Sequence, residues 1–199
     1  MAAPIRFYLD FSSPYAYAAH GALEALAARH GRTVDWRPIL VWAVLKAQGV
    51  APPLESEARR RYLLQDMARS AAFHGLPYRQ PVRLPLSTHL AARLFLALRE
   101  EDPVLARRLG LRLFQAFFTE RADIGEAEVV LALAAELGIG RAAASEAMTG
   151  PAGKARLAAM VDEALADGAV GAPFVVLDGE GFFGADRLPQ IAWRLGEKA

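Results

Sequence analysis

The sequence predicts an α/β protein whose small sheet, built from the two ends of the chain, is interrupted by a large all-helical insertion. Three observations predict it. Apolar, strand-like runs cluster near the two ends, at residues 4–11, 33–40 and 173–183. Nearly every segment between Trp42 and Thr149 carries a helical period instead. The punctuation of that middle stretch consists of helix caps and proline breaks, with no fixed-period repeat and no low-complexity linker.

Taken in order, "PIRFYLDF" is short, aromatic and apolar, as a buried strand requires. Tyr15, Ala19, Ala22, Leu23 and Leu26 then fall at helical spacing, and Gly31 stands where a C-terminal cap belongs. "TVDWRPIL" is a second strand, so the chain opens with a β-α-β unit and a parallel pair. In the middle stretch Leu64, Met67 and Ala71 share a helical face, and so do Leu90, Leu94, Ala97 and Leu98 behind Ser87 as an N-cap. Asp102-Pro103 opens another helix in cap-then-proline order, and Gly138 closes the one after "VVLALAAEL". A helix over about 152–167, stopped by Gly168, leads to a strand, an Asp178-Gly179 hairpin turn, a second strand through Phe183 and a terminal helix from near Asp186. Phe182 and Phe183 are expected in the core. With the insertion set aside, β-α-β followed by α-β-β-α is the order of a thioredoxin-like fold. The division expected is residues 1–41 plus 152–199 for that domain and 42–151 for the helical insertion.

Composition narrows the function. The 199 residues carry 23 Lys and Arg against 22 Asp and Glu, a formal charge of +1 that offers no concentrated basic face for nucleic acid. There is no cysteine, which removes disulfides, thiolate metal sites, cysteine nucleophiles and any thiol redox cycle carried by the protein itself. Sulfur chemistry, if any, is imported. The longest apolar runs, such as "ILVWAVL", fall far short of a membrane span, and the start lacks the basic and apolar regions of a signal peptide, so a cytoplasmic location is expected.

The junction "LDFSSPYAYAAHG", residues 9–21, places two serines and a proline where a strand hands the chain to a helix. Ser12 or Ser13 can cap the helix, with Pro14 at a position that needs no donor. The same geometry sets a hydroxyl beside the positive end of the helix dipole, where it can stabilise an anion, a thiolate included. A hydrolase nucleophile would need a base, yet neither serine sits in a Gly-x-Ser-x-Gly elbow. The four histidines, His20, His30, His74 and His89, have no metal-binding spacing.

Residues 9–40, "LDFSSPYAYAAHGALEALAARHGRTVDWRPIL", resemble the start of the 2-hydroxychromene-2-carboxylate isomerases and the related kappa-class glutathione transferases, a DsbA-like branch of the thioredoxin superfamily. The resemblance continues through "YLLQDMARSAAFHGLPYRQP" and ends in "GAVGAPFVVLDGEGFFGADRL". It implies that Ser13 is the catalytic hydroxyl, standing where redox relatives carry the first cysteine of Cys-x-x-Cys. It implies a cis bond before Pro173, backbone pairing of Ala172 with the cysteinyl part of glutathione, and Asp186 as the acid that holds the γ-glutamyl ammonium group. The N–H groups around Ala185 and Asp186 would hold the γ-glutamyl carboxylate. Two positions depart from the pattern: Val50, in "QGVAPP", and Ala185 replace residues that are often polar in the family.

The resemblance therefore implies a glutathione-dependent cis–trans isomerase acting on a conjugated arylidene pyruvate by reversible addition of the thiolate, with Trp42, Lys46 and Arg60 as candidates for holding the substrate ring and carboxylate. It also implies a homodimer. Arg59, Arg60 and Arg61 otherwise read as a solvated helix face. A kappa-like transferase would use the same thiolate but consume glutathione. A non-catalytic ligand-binding relative would bind without turnover. A disulfide oxidoreductase has no cysteine to cycle.

Overall fold

The computed structural model describes residues 3–197. Strand β1 (Ile5–Leu9), helix α1 (Pro14–Arg29) and strand β2 (Val34–Pro38) form the expected parallel β-α-β unit, with Ile5 opposite Val34 and Leu9 opposite Pro38. Six helices follow: α2 (Val41–Ala47), α3 (Glu57–Phe73), α4 (His89–Glu101), α5 (Pro103–Thr119), α6 (Ala127–Glu136) and α7 (Arg141–Thr149). Helix α8 (Pro151–Ala166) returns the chain to the hairpin of β3 (Phe174–Leu177) and β4 (Glu180–Phe183). A 3-10 turn (Ala185–Arg187) then leads into α9 (Leu188–Arg194). The sheet order is β2-β1-β3-β4, and β3 lies antiparallel to β1 with Phe7 opposite Val175. This is the thioredoxin-like arrangement with a helical insertion.

Alternation along the strands decides what each face buries. Ile5, Phe7, Leu9, Val175, Leu177 and Phe182 share one cluster with Leu23 and Leu26 of α1, Ile191 of α9 and the aromatic rings of α4 and α5. Tyr8, Phe174 and Val176 share another with Leu157 and Met160 of α8 and Val44 of α2. The hairpin turn is fixed by Asp178 and Gly179, both at positive φ, as the tight turn of the expected Asp-Gly type requires.

Two local expectations are corrected. Helix α4 is preceded by Thr88, not capped by Ser87; the Ser87 hydroxyl lies 3.0 Å from Nδ1 of His89. Phe183 is half exposed because it alternates with buried Phe182 on the edge strand, and its ring covers Gly171, where a Cβ would stand 2.6 Å from it. The terminal helical segment begins beside Asp186 as expected, as the 3-10 turn that continues into α9 at Leu188. No helix among the described residues is long and apolar enough to cross a membrane.

Candidate active site

The junction between β1 and α1 is built on one buried carboxylate. Asp10 is 2% exposed, and its oxygens accept hydrogen bonds from the Ser12 N–H (2.9 Å), the Ser12 hydroxyl (2.8 Å), the Thr88 hydroxyl (2.9 Å) and the Val41 N–H (2.9 Å). Its backbone carbonyl accepts from the Ser13 N–H at 2.8 Å. Asp10 thereby joins the serine loop, the start of α2 and the residue ahead of α4. Asp10 stands in for the cap that Leu40, having no polar side chain, cannot give to the first N–H of α2, and it holds the Thr88 hydroxyl, which makes no capping bond to α4.

Ser12 and Ser13 have different roles in this loop. Ser12 is spent on Asp10. Ser13 is the N-cap of α1, its oxygen accepting from the Ala16 N–H at 3.2 Å, and Pro14 occupies the first turn. The Ser13 hydroxyl donates to the Ala172 carbonyl at 3.1 Å, across 159 positions of sequence. The Ala172–Pro173 bond is cis, as expected, and the Pro173 carbonyl accepts from the Gly184 N–H at 3.0 Å.

Gly184 begins one wall of a cleft of about 710 Å³. Gly184, Ala185, Asp186, Leu188 and Pro189 form that wall, Tyr15 of α1 contributes to the lining, and Asp66, Arg69, Ser70 and Phe73 of α3, with its C-cap His74, complete it. Tyr15 donates its hydroxyl to Asp66 at 2.7 Å, and burial, together with that carboxylate, pushes the Tyr15 pKa far above its ordinary value. Asp186 pairs with Arg187, which holds its carboxyl below the usual carboxylate range.

The structure brings Ser13, Ala172 and Pro173 into one junction and sets Ala185 and Asp186 beside it through Gly184. Of the expected site residues, Ala185 and Asp186 line the cleft, whereas Ser13, Ala172 and Pro173, and also Trp42, Lys46 and Arg60, stand outside its lining. Trp42 and Lys46 lie four residues apart on the exposed side of α2, opposite buried Val44, and Arg60 is exposed on α3. Sequence reasoning missed Asp10 and Thr88 as parts of this region and gave Tyr15, Asp66 and Arg69 no task in it. Asp10 had a signal, an acid ending an apolar strand directly ahead of the serines, and Asp66 and Arg69 stood in a recognised segment without an assigned task.

The model of the DSBA-like thioredoxin domain family matches residues 4–196. The chain belongs to this family. Among curated proteins, the 2-hydroxychromene-2-carboxylate isomerase of Sphingobium xenophagum is 28% identical over 190 residues, covering 94% of this chain and 95% of its own. Glutathione S-transferase kappa 2 of Caenorhabditis elegans is 26% identical over 206 residues, covering 97% and 92%. A solved structure of 2-hydroxychromene-2-carboxylate isomerase superimposes with a TM-score of 0.85 at 25% identity, covering 98% of this chain and 95% of that one. Within the DSBA-like family, then, these relatives are named for an isomerase and for glutathione transferases, and this chain keeps serine at the head of α1 with no cysteine anywhere.

Proposed function

We propose that this protein is a glutathione-dependent cis–trans isomerase of the 2-hydroxychromene-2-carboxylate isomerase type, acting on a conjugated aromatic pyruvate. The observation that carries the reading is the Ser13 hydroxyl, held at the N-terminus of a 16-residue helix and against the Ala172 carbonyl, beside a cleft that has Asp186 on its wall. The residues present fit glutathione. The cleft volume lies within the ~300–1,000 Å³ range of small-molecule sites. An exposed carboxylate at Asp186 suits an ammonium group, and a hydroxyl at a helix N-terminus suits a thiolate. Bound glutathione supplies a thiolate able to add reversibly to a conjugated carbon–carbon bond. The chain's task is to favour that anion and to orient both partners.

Ser13 has a single hydroxyl proton. At rest it is donated to the Ala172 carbonyl; turned toward the helix axis, it becomes the donor to an anion at the head of α1, while the capping bond from Ala16 keeps Oγ in place. The thioredoxin-like part, residues 1–41 and 152–199, provides Ser13, Ala172 and Asp186, and the insertion, residues 42–151, provides the opposite wall and the substrate candidates Trp42, Lys46 and Arg60. The relatives' names favour equally a kappa-type transferase using the same groups. Calorimetry with glutathione, followed by assay of arylidene pyruvates with glutathione counted before and after, separates the readings. Isomerisation with glutathione conserved is the expected result; stoichiometric consumption points to the transferase, and the absence of binding removes both.

A further inference from the structure

We infer that a second groove, along the open edge of the sheet, binds a small organic acid, its carboxylate among arginines and its apolar body against Trp36 and Phe95. The groove has a volume of about 480 Å³ and shares no residue with the first cleft. It runs past residues 33–36 at the start of β2, the edge strand of the sheet, and its other wall is the corner between α4 and α5. Because β2 runs parallel to β1, this is the end of the sheet away from the Ser13 junction, so the site stands independently of the glutathione reading.

Charge and hydrogen bonding select the ligand. Four arginines, Arg32, Arg99, Arg107 and Arg108, line the groove against two carboxylates, Glu24 and Asp35. Both carboxylates are taken: Glu24 accepts from Arg107 and from the Trp36 indole N–H, and Asp35 accepts from Arg37 and Arg99. Arg32 is taken as well, by Asp178 and the Ala3 carbonyl. What remain are donors. Arg99 spends Nε and Nη2 on Asp35 and keeps Nη1 unpaired among the described residues. Arg107 is stacked 4.0 Å from the centre of the Trp36 ring, spends Nε and Nη2 on Glu24, and has a buried Nη1 with no acceptor. Arg108 is exposed and makes no side-chain hydrogen bond or ion pair among the described residues. Such donors call for an acceptor, and a carboxylate brings two oxygens and the compensating charge. Beyond the Thr33 hydroxyl the rest of the lining is apolar: Trp36 and Phe95 are buried, and Val104 is 72% exposed. With both carboxylates occupied, the hydroxyls of a sugar phosphate would find few acceptors here, whereas an acid whose body makes no hydrogen bonds needs none. The volume, in the lower half of the ~300–1,000 Å³ range of small-molecule sites, suits an acid of this kind.

The test uses the full chain and phenylacetate, which has no conjugated carbon–carbon bond for a thiolate to attack. Binding is followed by NMR of the indole N–H groups; Trp42→Phe and Trp193→Phe assign two of the three tryptophans and leave Trp36. Phenylacetate should shift the Trp36 resonance saturably, since that indole shares Glu24 with Arg107. Phenylacetamide lacks the charge, and acetate and inorganic phosphate lack the apolar body, so each should bind more weakly by roughly tenfold or more. Arg108→Gln should weaken phenylacetate by roughly tenfold with the thermal midpoint unchanged, and Val104→Asp, which sets a negative charge on the exposed lining, should abolish the shift. No saturable shift at Trp36, binding of phenylacetamide, acetate or phosphate as tight as that of phenylacetate, or wild-type affinity in either variant overturns the inference.

Discussion

Helices α1 and α3 line the same cleft and have nearly the same length, 16 and 17 residues, but they are held very differently. Helix α1 buries eight of its residues, among them Tyr17, Leu23 and Leu26, whereas α3 buries Met67 and Ala71 alone. Helix α1 starts from a loop whose serines are committed: Ser12 to Asp10, the Ser13 N–H to the Asp10 carbonyl, and the Ser13 hydroxyl to Ala172. Helix α3 starts from Ser56, whose capping distance is a long 3.5 Å, and continues through exposed Arg59, Arg60 and Arg61. Local stability follows buried contact and hydrogen bonding, so the α1 side of the cleft is the rigid one and the α3 side the more adjustable. On the function proposed above, Ser13 needs the rigid side, because a catalytic hydroxyl has to be placed to a fraction of an ångström.

That contrast can be broken most severely at Asp10. Asp10→Ala leaves four buried or half-buried donors without their acceptor and should cost about 3–5 kcal/mol of stability, whereas Asp66→Ala on the α3 wall should cost about 1 kcal/mol. Urea unfolding of the two variants measures the difference; equal costs would mean that the walls are equally rooted. Next in size is Ser13→Ala, which should lower turnover at neutral pH by roughly one to two powers of ten, and less at high pH where a thiol ionises unaided. Because Ser13 is also the α1 cap, the same change should remove about 1 kcal/mol of stability, and Ser12→Ala should affect turnover less.

A smaller effect depends on pH. Burial, and a hydrogen bond to Asp167, push the Tyr8 pKa up to about 12 on the α8 side of the sheet, while burial pushes Tyr78 in the insertion up to about 12 as well. A tyrosine with a raised folded pKa contributes stability that is fully present below pH ~10 and is lost as the pH rises toward 12. Unfolding free energies across this range should therefore fall, and Tyr8→Phe should flatten the slope; an unchanged slope would show that Tyr8 is not a source of it. The smallest effect belongs to the solvated face of α3. The Arg61–Glu57 pair is almost fully exposed, so Arg61→Ala should move the unfolding midpoint hardly at all, by less than ~0.5 kcal/mol.

The part of the molecule with short-range signals was legible in the sequence. The strand runs, the Asp178-Gly179 turn and the cap at Ser13 each depend on neighbours within four residues, and each stands where the pattern places it. What escaped depends on contacts across the fold. Nothing near Asp10 announces that Thr88, 78 positions away, completes its hydrogen bonds, and nothing near Tyr15 announces Asp66. Phe183 differs: alternation along an edge strand already forbids two adjacent phenylalanines from both facing inward, and the packing of the sheet decides that Phe182 is the buried one. The Ser13–Ala172 approach follows from the topology: β3 has to lie beside β1 for the two ends of the chain to share a sheet, which brings Ala172 to the head of α1.

The most direct test of the account is the ionisation of glutathione on the protein, followed by the ultraviolet absorbance of its thiolate as pH is raised, in wild type and in Ser13→Ala. If the Ser13 hydroxyl is the donor to the thiolate, the wild-type complex ionises below the ordinary thiol pKa of about 8.5, and Ser13→Ala raises that value by roughly one to two units, with glutathione still bound. Superimposable titrations of the two complexes would contradict it, leaving Ser13 as the cap of α1 and nothing more.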